Sequence, residues 1–202
     1  MDRVTAFLQG HLSGRSRILL VAATLAIFPA VFLPTWTITL RAPQYPDGLT
    51  MEIYPHTVKG DVREINILNH YIGMHAIDAD EFPEFRFIPW FILRFFGFAL
   101  LAALIARMPI AALGWMDFVF FGIVMLYIMH HWLYAFGNEL DPTAPLRIQP
   151  FTPNLIGPTR IGQFQVSSWP GAGAILMGVA GLLGPVIAVT EWLRQRRAPA
   201  AT

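Results

Sequence analysis

Apolar residues run almost unbroken through four stretches of this chain, Ile18 to Leu33, Ile88 to Ala106, Ile110 to Leu133 and Gly171 to Leu193. At about 1.5 Å per residue these match a hydrocarbon core of roughly 30 Å, so four membrane-spanning helices are predicted. The first stretch is slightly short and carries Pro29, with Pro34 just beyond, so it is expected to kink or to end in the headgroup layer. Between the first two spans the texture changes. Trp36-Thr37-Ile38-Thr39-Leu40 and Leu49-Thr50-Met51-Glu52-Ile53-Tyr54 alternate apolar and polar residues on either side of Pro43-Gln44-Tyr45-Pro46-Asp47-Gly48, which reads as a β-hairpin. Asp61 followed by Glu64 has the spacing of a capping box, and Val62, Ile65, Leu68 or Asn69, and Ile72 recur at helical spacing, predicting a short helix that Gly73 ends. Pro89 suits the first turn of the second span.

The segment between the last two spans is interrupted by Pro142, Pro145, Pro150 and Pro153, so a rigid, extended cap with little helix or sheet is expected there. Val166-Ser167-Ser168-Trp169-Pro170 then returns the chain to the membrane, with Trp169 at interface depth. The fold class expected is an all-α membrane protein. It has one polytopic domain over 1–202, four transmembrane helices, and an external cap from about 34–87 and 134–170 that holds the hairpin and the short helix. On the fourth span Ala174, Gly178, Gly181, Pro185 and Ala188 fall on one face, allowing close approach by a helix of this chain or of another subunit in an oligomer.

Composition supports the lipid assignment: 13% of the 202 residues are charged, about half the share in soluble domains, and 55% are hydrophobic. The positive charge is placed unevenly. Arg3, Arg15 and Arg17 precede the first span, Arg107 lies in the second connection, and Arg194, Arg196 and Arg197 follow the last span, which puts both termini in the cytoplasm. The first span lacks a small-residue cleavage site and reads as a retained anchor. The absence of cysteine excludes thioether-linked haem, thiolate metal sites, iron–sulfur ligation and disulfides. A net charge of +1 without a basic stripe gives no reason to expect nucleic acid.

The candidate chemistry lies in Asn69-His70-Tyr71-Ile72-Gly73-Met74-His75. Imidazole and thioether donors suit Cu(I) better than they suit magnesium or calcium. His70 and Met74 would share a face if the helix ran through Gly73. The metal candidates are His70, Met74 and His75, with His130 and His131 as second contributors from the outer end of the third span; structural hydrogen bonding and packing are the competing reading for each. His56 is a weaker addition, and His11 is assigned to the cytoplasmic side. Haem is disfavoured because only one predicted span contains histidine. Arg94, inside the second span, is expected to snorkel outward, with pairing to Glu84 or contact with an anionic quinone or lipid group as alternatives. Asp117 is expected to pair with Arg107 or to benefit from its helix N-terminus. No nucleophile, base and oxyanion donor form a recognisable set, so a stand-alone hydrolase or transferase is not expected.

Four strings carry a resemblance. Leu40-Arg41-Ala42-Pro43-Gln44-Tyr45-Pro46-Asp47-Gly48, Leu68-Asn69-His70-Tyr71-Ile72-Gly73-Met74, Leu140-Asp141-Pro142-Thr143-Ala144-Pro145 and Pro153-Asn154-Leu155-Ile156-Gly157 resemble a family of small four-helix bacterial membrane proteins. That family is encoded among accessory genes for nitrous oxide reductase and its copper delivery. The resemblance implies the bacterial cytoplasmic (inner) membrane, a respiratory and copper-related setting, and a membrane or periplasmic protein partner. It bears on the loop motif more than on His130 and His131. The function expected is copper handling, assembly or anchoring for a copper-dependent respiratory enzyme. A non-metal structural subunit and an electron-transfer or quinol-interacting subunit are the alternatives.

Overall fold

The computed structural model describes residues 10–197; Arg3, one of the charges used for orientation, lies outside the described residues. Along the chain run helix α1 (Gly14–Ile27), strands β1 (Trp36–Ala42), β2 (Tyr45–Tyr54) and β3 (Thr57–Gly60), and helices α2 (Val62–Ile72), α3 (Ile88–Ile105) and α4 (Met108–Asn138). Strands β4 (Gly157–Ile161) and β5 (Phe164–Pro170) and helix α5 (Ala172–Arg197) complete it. Two compact units result. A helical unit comprises the chain up to Val31, Trp90–Gly122 and the chain from Ile175 on, and a sheet unit comprises Phe32–Pro89 and Ile123–Ala174.

Four helical segments are long and apolar enough to cross a membrane: Gly14–Val31, Ile88–Ile105, Met108–Asn138 and Ala172–Arg196. They fit a multi-pass membrane protein. The first ends in a 3-10 turn over Phe28–Val31, where Pro29 cannot donate to the helix ladder. The third is longer than its apolar run suggested and reaches Asn138.

The expectation of an all-α protein is overturned by a five-stranded antiparallel sheet in the order β3-β2-β1-β5-β4. Strands β4 and β5 come from the segment expected to hold little sheet. Pro142, Pro145, Pro150 and Pro153 all precede Asn154, and Pro158 sits in β4 at the edge of the sheet, where a missing donor is tolerated; Ile161 then pairs with Phe164 across a two-residue Gly162-Gln163 turn in which Gly162 takes φ 57°. The β5 strand then pairs along β1, setting Ile38 opposite Ser168 and Trp36 opposite Pro170, an association between segments far apart in sequence.

The β1–β2 hairpin forms, with a tighter turn than Pro43–Gly48. Ala42 already faces Tyr45, and the residues up to Gly48, at φ 90°, lie inside β2 as an irregularity in the register. Gly60 takes φ 99° and closes β3 against Thr50. The short helix forms as α2 and buries Ile65 and Leu68 against Ala42, Leu49 and Met51 of the sheet. Asp61 precedes it without making the capping box. Its Oδ2 accepts instead from the Thr50 amide at 2.8 Å, joining the helix start to β2.

In the helical unit Leu12, Leu20, Ala102, Ala103, Met108 and Ile187 form the core. Two departures from ordinary helix bonding are repaired by side chains. Pro185 has no amide hydrogen to give the Gly181 carbonyl four residues earlier, and Trp115 Nε1 donates to that oxygen at 2.7 Å. On the small-residue face Gly181 thus receives Phe118 of α4, while Gly178 has open space around it; Gly184, beside that face, receives Trp115. At the start of α1, Glu191 Oε1 accepts from the Ser13 amide and the Ser16 hydroxyl, and Arg194 Nε stands 2.9 Å from its other oxygen. Glu191 is 2% exposed, so this carboxylate ties the first and last helices together from inside.

Arg94 and Asp117 are each other's partners, 2.7 Å apart. The pairing of Arg94 with Glu84, an alternative to snorkelling, and the pairing of Asp117 with Arg107 are therefore replaced by an ion pair between α3 and α4.

Candidate functional site

The motif around His70 takes its shape from how α2 ends. Gly73 adopts the left-handed conformation at φ 81°, and the Met74 amide donates back to the Asn69 carbonyl at 2.9 Å. The helix stops at Ile72, so Met74 leaves it and does not share a helical face with His70. Asn69, 3% exposed, turns inward and donates to the His75 carbonyl at 3.2 Å. Asn66 completes the clamp by donating to the Ile77 carbonyl at 3.0 Å and accepting from the Ile77 amide at 2.7 Å.

Onto this helix end folds the Leu140–Pro145 string. The Asp141 amide donates to the Gly73 carbonyl at 2.8 Å and the Leu146 amide to the Tyr71 carbonyl at 3.0 Å. A side chain at Gly73 would strike the Asp141 carbonyl and Ala144. Asp141 Oδ1 accepts from the Thr143 amide at 2.8 Å and from the Thr143 hydroxyl at 2.6 Å, an Asx turn. The hydroxyl bond, then the amide bond, hold the Asp141 carboxyl below its usual range, with a smaller contribution from His70.

The other two strings have structural work as well. Ala42 and Tyr45 belong to the core under α2. The Leu155 carbonyl accepts from the Ser168 hydroxyl, which itself accepts from Trp36 Nε1 at 2.7 Å. Asn154 pins the start of β4 through Pro158 and Thr159.

The structure places the five metal candidates on the sheet unit, on the end of α2, the turn after it and α4. His70 is exposed on the last turn of α2, Met74 is half-buried beyond Gly73, and His75 is exposed. His130 and His131 are exposed on α4. His75 Nε2 lies 4.0 Å from Glu139 Oε2 and meets Phe136 edge-on. Phe136 packs near Trp132, and Trp132 near His131, so His75 and His131 border one aromatic cluster with Phe82 and Phe85. Within it Glu84 Oε1 faces Trp132 Nε1 at 3.4 Å, and the buried Oε2 has no hydrogen-bond partner among the described residues. His56 occupies the β2–β3 turn beside Tyr54. His11 lies in the helical unit, bridged to Arg107. No group of three or more His, Asp or Glu side chains among the described residues is arranged to hold one ion.

Sequence reasoning missed Asn66 altogether and, although it named Asn69 and Glu84, missed their roles as a loop clamp and as the acceptor facing Trp132. The available signal was an asparagine at Asn69 on the apolar face of a short helix, where a buried amide must find partners. No protein-family model matches the chain, and no curated protein matches it at a significant level.

Proposed function

We propose that this chain is an accessory protein of the bacterial cytoplasmic membrane, with both termini cytoplasmic, whose sheet unit works on the external face for a copper-dependent respiratory enzyme of the nitrous oxide reductase type. Its task is to help copper handling, assembly or anchoring. The observation that carries this reading is the docking of two resemblance strings on each other through Asp141 to Gly73, reinforced by Leu146, the residue after the second string, to Tyr71, beside exposed His70, Tyr71 and Ile67. An exposed surface bearing imidazoles and apolar side chains suits a protein partner. The donors His70, Met74 and His75 suit Cu(I) as cargo. In this reading a partner completes the ligand set. The charge distribution supports the orientation: Arg15, Arg17, Arg107, Arg194 and Arg196 belong to the helical unit, while Asp47, Asp61, Asp78, Asp80, Glu81, Glu139 and Asp141 belong to the sheet unit.

A second reading, a structural subunit that binds no metal, is favoured by the jobs of Asn69 and Gly73, which explain much of the motif through chain termination alone. Copper content of anaerobically purified protein, measured by mass spectrometry after Cu(I) exposure and washing with a competing chelator, separates the two. The first reading expects retained copper that falls in the His70→Ala/Met74→Ala double variant, with membrane insertion intact. Retention equal in wild type and variant removes the proposed ligands. Absence of copper both in the isolated chain and in complexes captured with it from the native membrane leaves the structural role.

A further inference from the structure

Phe95, on which the Arg94 guanidinium stacks, and Met116 and Phe118, on either side of Asp117 in sequence, line an apolar cavity in the helical unit. Arg94 Nη2 reaches both carboxylate oxygens of Asp117, at 2.9 and 2.7 Å. A guanidinium carries five N–H donors, and this pairing engages one nitrogen. The two side chains are 41% and 35% exposed. Arg94 lies six residues into α3, about 9 Å along its axis, where hydrocarbon supplies no acceptor for the remaining donors.

The guanidinium stacks over Phe91 and Phe95, 4.7 and 5.1 Å from their centroids. Phe95 in turn lines a cavity of about 330 Å³ whose walls include Leu20, Ala112, Trp115, Phe118 and Ile187. That volume lies at the lower end of the range for small-molecule sites. Its lining side chains are apolar apart from Trp115 Nε1, which is committed to the Gly181 carbonyl. The arrangement is amphipathic: hydrogen-bond donors at one edge and an apolar hollow behind the aromatic ring they stack on.

The depth and charge of the pair select the ligand. A phospholipid headgroup belongs in the interfacial layer, and Asp117 already neutralises Arg94, so a second anion would be poorly matched. A neutral carbonyl on a hydrocarbon-soluble ring suits both conditions. We propose that the helical unit binds a prenyl quinone, with a ring carbonyl accepting from Arg94 and the beginning of the tail in the cavity beside Phe95 and Trp115. This site belongs to different residues from the copper reading and stands or falls separately.

The test is titration of the detergent-purified full chain with decylubiquinone, reading tryptophan fluorescence, with quinone retained through gel filtration as a second measure. Saturable quenching is expected, with most of it lost in Trp115→Phe. Ala112→Leu should weaken binding about tenfold by filling the space proposed for the tail, and the neutral pair Arg94→Gln/Asp117→Asn about tenfold through the loss of a hydrogen bond from a charged donor. Thermal unfolding of each variant identifies any that fail to fold, and the wild-type result decides the case independently. Quenching that never saturates, quinone lost on gel filtration, or titrations of folded variants that match wild type would overturn the proposal. Displacement of decylubiquinone by excess phosphatidylglycerol would also overturn it, assigning the hollow to acyl chains.

Discussion

The helical unit and the sheet unit satisfy their buried polar groups by opposite strategies. In the helical unit most backbone bonds are made within each helix, and two local gaps are repaired by Trp115 on the Gly181 carbonyl and Glu191 on the start of α1. In the sheet unit the two sets of local hairpins are joined by the non-local β1–β5 pairing, and asparagines bind the loops: Asn66 to Ile77, Asn69 to His75, and Asn138 to Phe151. Stability in the first therefore concentrates in single residues, whereas in the second it is spread over a network whose members can open in part. The candidate metal donors all lie on the second, where movement of one loop is less costly.

Removing Glu191 should break this contrast most severely. Glu191→Ala leaves the Ser13 amide and the Ser16 hydroxyl without this acceptor and Arg194 with only the His11 carbonyl, a loss of about 3 kcal/mol. Reversible unfolding in detergent should show it as cooperative destabilisation of the helical unit; a loss confined to the ends of α1 and α5 would show that the carboxylate is not central.

Gly73→Ala is expected to cost about 2 kcal/mol, because alanine is strained at φ 81° and its Cβ meets the Asp141 carbonyl. Hydrogen exchange should quicken at Asp141 and Leu146 while β1 and β5 stay protected. Uniform acceleration across the sheet would remove the distinction between concentrated and distributed stability.

Trp115→Phe strips the Gly181 carbonyl of its donor and should cost about 1 to 2 kcal/mol. Pro185→Ala restores an amide hydrogen for that carbonyl, so the indole should matter less in the Pro185→Ala background. A double-mutant cycle reads this coupling, and strict additivity would show that the indole does not replace the missing helix bond.

The smallest effect is a pH dependence at Asp141. Its carboxyl titrates lower folded than unfolded, so its contribution is present above the unfolded carboxylate pKa and is lost as pH falls through the folded value. Exchange at the Thr143 and Leu146 amides, corrected for intrinsic rates, should therefore rise on acidification. Asp141→Asn should flatten that rise; an identical acid response in the variant would place the titrating group elsewhere.

Much of the fold was legible because its causes are local. The four spans, the Pro89 start, the α2 face of Ile65 and Leu68, and the Gly73 stop follow from hydropathy, periodicity and the backbone freedom of glycine. The candidate site was legible only as residue types. Nothing in the spacing of His75 or His131 indicates that Phe136 and Trp132 would link their surroundings, and Asn69 reads as a break in an apolar pattern until its partner is seen. The β4–β5 hairpin was hidden because a proline-rich stretch precedes it and β5 finds its partner in β1, far earlier in the chain.

What the sequence determined by itself is where apolar helices form: a segment crossing lipid must satisfy its backbone internally, and that requirement can be read from one continuous run of residues. Tertiary structure alone decided the sheet order, the pairing of Arg94 with Asp117, the use of Trp115 to repair a proline gap, and the seating of Asp141 on Gly73. Each joins groups between which several partners of similar chemistry were available, and the choice depends on which surfaces meet when the chain closes.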